Sequence, residues 1–590
     1  MAEKENYSGK IFDVKTLKRI FEFVKPHIRV FHLIIFLTVL KGVLAPALPF
    51  LIRYTVDDYI LVGDFAGLNQ MALLLVGITI AQAGVDYTHT FFSGKLGQSV
   101  VKDIRMAVFR HIIGMRLQYF DKTPIGRLVT RNVSDIETLS NVFTNGLANI
   151  IGDVLQLVFI LAAMFWLDWR LTLVTLSVLP VLIISTYIFK EKVKEAFSEV
   201  RNAVSNLNSF VQEHITGMAI VQIFNSEKRE CEKFDVINKE HRAANIRTVL
   251  YYSVYFPVAE IVTAAGTGLL VWYGARRVLQ ADLELGVLIA FLMFLSMFFR
   301  PVRMIADRFN TLQMGVVSSD RILRVLDTEA RIEQAGTYAP QEIRGEVTFD
   351  GVWFAYNKDE YVLKDISFEV PAGETVALVG ATGAGKSSII NLLSKFYEIQ
   401  RGEIRVDGRL IDDYALTNLR RHIGVVLQDV FLFSGSIFEN ITLGNPDITL
   451  EQVQHAADLV GARRFIERLP GGFHYKVMER GATLSVGQRQ LISFVRAMVY
   501  DPAILVLDEA TSSVDSETEA LIQAAIDKMM RGRTSIVIAH RLATIQKASR
   551  IIVLDKGEIK EVGSHQELLA KDGFYAKLHE IQYREAVVNS

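Results

Sequence analysis

Cysteine is almost absent: one residue, Cys231, in 590. A single thiol cannot close an internal disulfide, and this one falls in a charged segment, so it reads as an ordinary thiol with no assigned role. Neither sign of charge dominates, because 64 Lys and Arg stand against 65 Asp and Glu for a net charge of -1. That balance gives no reason to expect nucleic acid as a partner. A short apolar core with a small-residue cleavage site is also lacking after Lys4, Lys10, Lys15, Lys18 and Arg19. A removed signal peptide is therefore not expected, and the first apolar run should remain in the mature protein.

What the chain has in quantity is apolar sequence. Half of its residues are hydrophobic while 22% are charged, and the two are segregated. Apolar runs dominate from about Ile28 to Pro301; from about Asp320 charges recur every few positions and the apolar runs shorten to strand length. About 20 apolar residues cross a bilayer, and lipid forbids unpaired backbone groups, so each long run reads as one helix. Six runs stand near 28–52, 71–92, 143–167, 171–189, 249–273 and 285–299. An even number puts both termini on one side. Two connections are long, 93–141 and 190–247, and the first carries Lys95, Lys102, Arg105, Arg110, Arg116, Lys122, Arg127 and Arg131. Those cations mark the cytoplasmic face, and the opposite loop, with Asp57, Asp58 and Asp64 but no Lys or Arg over 54–70, agrees.

The long connections are rich in helix formers, so the spans are expected to continue as stalks below the membrane. They should turn near Phe120–Arg127, where Pro124 and Gly126 stop and restart a helix, and between Gly217 and Phe224. Each turn is either a transmission element or an ordinary helix break. Lys41, Asp86, Asp153 and Glu260 interrupt the apolar runs. Charges near the bilayer centre cost at least about 2.5 kcal/mol, so these four should face the bundle interior, each other or water, as pathway residues or as packing pairs. Phe291, Phe294 and Phe298, with Tyr251, Tyr252, Tyr255 and Phe256, either offer a surface to an apolar solute or fill a core or interfacial belt.

In the polar half, the strand pattern 375–379 runs into Gly380, Ala381, Thr382, Gly383, Ala384, Gly385, Lys386 and Ser387, followed by a helical stretch from Ser388. This is a phosphate-binding loop in its required context. Glycines let backbone amides wrap phosphates, the helix N-terminus favours anions, Lys386 neutralises the outer phosphates and Ser387 offers a hydroxyl to Mg²⁺. A second buried strand, 504–507, ends in Asp508 and Glu509. The first carboxylate suits Mg²⁺, and the second suits general-base activation of water attacking the γ-phosphate. The strand 535–539 ends in His540, at the sheet edge where ligands collect. Tyr356 has an aromatic face able to stack a base for about 1–3 kcal/mol, and is otherwise an ordinary core or surface tyrosine.

Leu484, Ser485, Val486, Gly487 and Gln488 precede a helix just upstream of the Asp508–Glu509 strand. That signature, the six spans, the long loops and the phrase from Phe120 to Arg131 resemble the ATP-binding cassette (ABC) proteins, specifically bacterial half-transporters of the multidrug and lipid A exporter type, over nearly the whole chain. The resemblance implies a membrane all-α six-helix domain followed by an α/β P-loop nucleotide-binding domain. A cytosolic N-terminal elbow would occupy 1–27, the transmembrane domain 28–315, a linker 316–340 and the nucleotide-binding domain 341–590.

It also implies ATP and Mg²⁺ as cofactors. Glu509, His540 and Gln428 would be catalytic, with His540 on the γ-phosphate. Tyr356, Gly380, Thr382, Gly383, Ala384, Gly385, Lys386, Ser387 and Ser388 would hold the nucleotide, with Ser485, Gly487 and Gln488 closing over it. Ser387, Gln428 and Asp508 would serve the metal. Ser512 to Asp515 match a loop that communicates across a dimer, and Glu479–Gly481 a stretch near the intracellular loop ends. Val486 stands where the usual signature has glycine; the Ser485 hydroxyl and the following helix N-terminus remain, so the change is expected to be tolerated.

In such proteins the signature of one subunit closes over ATP held by the other, so this chain needs a partner. A second copy is favoured as the simplest twofold arrangement, and a related chain is the rival. The implied function is ATP-driven export of an amphipathic or hydrophobic solute, a drug or lipid, by alternating access. The implied location is a bacterial inner (cytoplasmic) membrane, with both termini and the nucleotide-binding domain cytosolic. An ATP-gated channel or regulatory subunit is the alternative.

Overall fold

The computed structural model describes residues 14–142, 148–330, 332, 336–357, 360–508, 516–539 and 541–580. They form two compact units, one of Met1–Ile113 with Ile125–Glu329 and one of Gly114–Pro124 with Ala330–Ser590.

The first unit is helical among its described residues. The run near 28–52 is not one helix but two, Ile28–Leu44 and Ala47–Tyr54, divided at Pro46, and a π-helical turn Thr55–Ile60 follows. Proline has no amide hydrogen to donate, so the ladder breaks there. The 171–189 run is likewise divided, into Trp169–Leu176 and Leu179–Thr216, with Pro180 in the first turn of the second helix. The helix matching the 143–167 run is Ala148–Leu167; residues 143–147 lie outside the described set. Five stretches are long and apolar enough to cross a membrane, Lys25–Ile60, Phe65–Ile113, Ile150–Leu167, Trp169–Thr216 and Glu227–Leu279, and the sixth apolar stretch, Leu285–Pro301, is shorter.

Four of the helices are far longer than a span requires. Phe65–Ile113, Leu179–Thr216, Glu227–Leu279 and Leu285–Leu326 contain 49, 38, 53 and 42 residues. At about 1.5 Å per residue they span roughly 57–80 Å, against about 30 Å of hydrocarbon. The turn between Gly217 and Phe224 contains the short helix Met218–Ile223, with Ile220, Ile223 and Phe224 exposed.

Polar side chains lock helix ends in this unit. Asp168 caps Trp169–Leu176 by accepting from the Leu171 amide at 2.7 Å, and its other oxygen meets Arg277 at 2.5 Å. Asp57 accepts from the Gly286 amide at 2.7 Å; a Cβ at Gly286 would sit 2.6 Å from the Arg53 carbonyl, so the close approach requires glycine. Of the four intramembrane ionisable residues, Lys41 and Asp86 form an ion pair at 2.8 Å. Glu260 is exposed. The aromatics divide in favour of packing: Phe291, Phe294 and Phe298 are buried, Phe294 meets Phe50 edge-on at 5.9 Å, and buried Tyr255 stacks on Phe189 at 4.0 Å.

The second unit carries strands β1 (Val347–Phe354), β2 (Leu363–Val370), β3 (Thr375–Gly380), β4 (Arg401–Val406), β5 (Arg409–Leu410), β6 (Ile423–Val426), β7 (Gly435–Ser436), β8 (Lys476–Val477), β9 (Ile504–Asp508), β10 (Thr534–Ile538), β11 (Arg550–Asp555) and β12 (Glu558–Gly563). The antiparallel sheet runs β2-β1-β4-β5, the main sheet β12-β11-β3-β10-β9-β6, and β7 pairs with β8. Within the main sheet β11, β3, β10, β9 and β6 are parallel. Their side chains alternate between two cores. Val376, Leu378, Ile504, Val506, Ile536 and Ile538 pack towards the antiparallel sheet and the helix Lys386–Leu393. Ala377, Val379, Leu505, Leu507 and Val537 pack towards Leu450–Val460, Val486–Met498 and Ser516–Met530.

Candidate nucleotide site

The site grows from the carboxyl ends of the parallel strands, where open α/β sheets gather ligands. β3 delivers the phosphate loop and β9 delivers Asp508, with β10 paired between them. The loop turns on two glycines in the left-handed region, Gly383 (φ 85°) and Gly385 (φ 103°). At Gly385 a Cβ would also stand 2.6 Å from Leu363 Cδ2, so a side chain is excluded twice over.

Lys386 opens the helix Lys386–Leu393 and is buried. Its ammonium donates to the carbonyls of Gly380 (2.7 Å) and Ala381 (3.0 Å), which holds it over the loop and leaves a third donor. Desolvation lowers its pKa, and nearby Asp508 acts in the opposite direction. The Ser387 hydroxyl reaches Asp508 Oδ2 at 3.5 Å. A hydroxyl and a carboxylate side by side are the hard oxygen donors that Mg²⁺ selects, so the residues fit that ion.

Tyr356, half-buried, joins the same cluster. Its hydroxyl lies 3.1 Å from Ser388 Oγ and accepts from Asn391 Nδ2 at 3.3 Å. Its ring packs edge-on against Tyr397 at 5.0 Å. The Tyr397 hydroxyl in turn donates to Asp121, in the short helix Leu117–Lys122. Burial, then that carboxylate, push the Tyr397 phenol upward, so it stays a donor. Arg116 pairs with Glu398 at 3.0 Å, and its amide donates to the Ala330 carbonyl at 2.8 Å. The chain on either side of 114–124 belongs to the helical unit. Tyr397, Asp121, Arg116 and Glu398 were not singled out as a group by sequence; only Asp121 fell in a segment marked by its Pro and Gly.

Arg420 fixes the turn that carries Tyr397, donating to the Ser394 and Lys395 carbonyls at 3.1 and 3.0 Å. If this turn relays motion, Tyr397→Phe keeps the ring packing and deletes the bond to Asp121. Hydrogen bonds to charged groups are worth about 1.5–3 kcal/mol. The expected result is that solute-stimulated ATP hydrolysis falls more than the basal rate does; equal loss of both would show a purely structural role. Basal and stimulated turnover of reconstituted protein measure it.

The signature stands apart from this cluster, with no hydrogen bond joining the two among the described residues. Ser485 caps the helix Val486–Met498 in a capping box: its Oγ accepts from the Gln488 amide at 3.2 Å, and Gln488 Oε1 accepts from the Ser485 amide at 3.0 Å. Ser485 and Val486 are exposed while Gly487 is buried. The same helix carries Arg496, which donates to the Asn440 carbonyl at 2.8 Å and the Phe431 carbonyl at 3.2 Å. Gln428 is exposed in the bend after β6. Glu479–Gly481 forms a 3-10 turn with Arg480 at φ 57°. Thr382 and Ala384 sit in the phosphate loop as expected, whereas Glu509, Ser512 to Asp515 and His540 lie outside the described residues.

Comparison with known proteins agrees with both halves. Residues 31–302 match the family model described as ABC transporter transmembrane region, and residues 363–512 the one described as ABC transporter. The chain is similar to the "Uncharacterized ABC transporter ATP-binding protein YknV" of Bacillus subtilis, 38% identical over 98% of this chain and 96% of that one. It is 38% identical to the "Probable multidrug resistance ABC transporter ATP-binding/permease protein YheH" of the same species, over 88% of this chain and 77% of that protein. It is 33% identical to the "ATP-dependent lipid A-core flippase" of Chromohalobacter salexigens, over 96% of this chain and 98% of the other.

Proposed function

The chain belongs to the ABC transporter family, and from that premise we propose that two such chains sandwich ATP between phosphate loop and signature so that its hydrolysis drives a solute outward. It is a half-transporter of the exporter kind: a multi-pass membrane protein with a nucleotide-binding ATPase domain, from a family whose half-transporters are generally dimeric. The domain limits in this reading are 28–315 for the transmembrane domain, 316–340 for the linker and 341–590 for the nucleotide-binding domain, with both termini in the cytosol and the spans in the bacterial inner membrane.

One observation supports the nucleotide-site assignment above the others: Lys386 and Ser387, after β3, and Asp508, at the end of β9, converge at the carboxyl ends of the two strands that flank β10. Lys386 would neutralise the outer phosphates and Tyr356 would stack the base. Ser387 and Asp508, with Gln428, would hold Mg²⁺, which when bound supplies positive charge to the phosphate oxygens. Glu509 would take the proton from the attacking water, and His540 would steady the γ-phosphate. Ser485, Gly487 and Gln488 would come from the other chain. ATP would favour the closed pair only through tighter binding to it, since a ligand of equal affinity for both states shifts nothing. The helices Leu117–Lys122 and Met218–Ile223 would carry closure to the spans.

A twofold pair of identical chains is the simplest assembly. A mixed pair is favoured by one observation: Val486, 47% exposed at the first turn of its helix, puts a branched side chain on the surface offered to the other subunit's nucleotide. Intact-complex mass separates the two.

The test of the sandwich is a thiol crosslink between chains carrying Ser387→Cys and chains carrying Ser485→Cys. With nucleotide present, a product of twice the chain mass is expected. Absence of that product from the mixture, with crosslinks forming only within single chains in a parallel preparation that carries both substitutions, would refute the reading. The transported solute is an amphiphile, a drug or a lipid.

A further inference from the structure

The turn between Gly217 and Phe224 joins two long helices, Leu179–Thr216 and Glu227–Leu279, and a cluster of charged side chains ties those helices together beside it. His214 Nε2 donates to Glu230 Oε2 at 2.9 Å across the pair, and Nδ1 of the same ring donates to the Phe210 carbonyl at 2.8 Å. Both nitrogens face oxygen acceptors, so only the protonated ring satisfies both. We infer that His214 is a positioning residue for export: its imidazolium braces the hairpin that carries Met218–Ile223, and solute movement comes uncoupled from ATP hydrolysis where the ring turns neutral. The inference rests on the exporter reading and gives its transmission a pH dependence.

Glu230 is the fixed end of the brace. Lys233 Nζ donates to both of its oxygens, at 2.9 and 3.0 Å, and Arg229 Nε to one of them at 3.3 Å. Lys233 first and His214 next hold that carboxyl down to about 2, so it stays an anion. In return, the Glu230 carboxylate and then the Phe210 carbonyl hold the His214 ring above the ordinary histidine value of about 6.5, and Glu213 adds to the pull. The Phe210 and His214 rings stack at 3.8 Å, a contact that also favours the cation. Met218–Ile223 brings no ionisable side chain to the cluster. His214 lies 25 residues beyond the fourth apolar run, roughly 37 Å along its helix, which places it outside the hydrocarbon layer. Among the described residues the next side-chain bond between the two helices, Arg247 to Glu199 at 2.8 Å, is about four turns away. A six-residue helix is too short to hold its own orientation, so Met218–Ile223 takes its direction from the two helix ends that this pair joins. The brace is complete below about pH 6.5 and is lost as pH rises through the higher value of the folded chain.

The test uses the full chain in phosphatidylglycerol vesicles with the nucleotide-binding domain outside, so that the bath sets the pH at His214. ATP hydrolysis and ATP-driven transbilayer movement of two probes, a tail-labelled phospholipid and tetraphenylphosphonium, are read from about pH 6 to about pH 9. Movement per ATP hydrolysed is expected to fall about fivefold over that range in the unaltered chain. His214→Gln, which cannot titrate, should give the low value at every pH. Glu230→Gln should move the midpoint downward, because the carboxylate that holds the ring proton is gone; a packing role alone would not move it. A His214→Gln profile that matches the unaltered chain, or an unmoved midpoint in Glu230→Gln, overturns the proposal. If neither probe moves at any pH while hydrolysis proceeds, the exporter reading fails instead. The brace is then read without a solute, from spin labels on exposed Cys231 and on Gln212→Cys. Their separation should broaden over the same pH range and be broad throughout in His214→Gln; a separation indifferent to both overturns the brace.

Discussion

Replacing Glu509 by Gln is expected to lower ATP turnover by about 10²–10⁴-fold, the contribution of a positioned general base, while nucleotide stays bound and the two chains stay clamped. Glutamine keeps the shape and hydrogen-bonding reach of the side chain but cannot accept the proton of the attacking water. Binding of ATP does not require that step, so affinity should be retained and the closed pair should accumulate. Retention of labelled ATP on the purified protein, together with the rate of phosphate release, separates the two effects. Turnover at the normal rate in this variant would refute the base assignment and would reopen the channel or regulator alternative.

Lys386→Ala should act at the preceding stage. The ammonium is buried, partly desolvated and pinned over the phosphate loop by two carbonyls. Its charge is thus set before the nucleotide arrives and requires no reorganisation when the phosphates enter. Deleting it removes the cation and leaves the Gly380 and Ala381 carbonyls without their donor beside an incoming anion. Losses of about 10²–10³-fold are expected for a preorganised charge at a reacting centre, accompanied here by weaker ATP binding. Nucleotide affinity measured beside turnover distinguishes this variant from Glu509→Gln, in which affinity persists. Unchanged affinity in Lys386→Ala would contradict its place on the phosphates.

The phosphate loop could be read from sequence because its chemistry is local: glycines, lysine and serine adjoin, and the strand before and helix after are themselves patterned. The same holds for the capped signature helix, whose Ser485 and Gln488 stand three positions apart. Long-range contacts left no such trace. Tyr397 and Asp121 are separated by 276 positions, and neither has a neighbour pattern that would have paired them. Lys41 and Asp86 were visible as costly charges, but only the packing of two helices makes them partners. The breaks inside the first and fourth apolar runs were missed for another reason: hydropathy averages over Pro46 and Pro180, whereas the backbone ladder responds to each proline individually. The aromatic set was ambiguous because a buried stripe and a binding wall have the same spacing; burial of Phe291, Phe294 and Phe298 separates them.

The chain passes from the first compact unit into the second at Gly114, returns at Ile125 and leaves again at Ala330. No single cut can divide such a molecule cleanly. A fragment beginning near residue 330 would be severed from Leu117–Lys122, and Tyr397 and Glu398 would lose the partners they hold there, Asp121 and Arg116. An isolated ATPase fragment would thus carry an unfilled seat beside its nucleotide pocket, and adding back a peptide of residues 114–124 is the simplest way to refill it.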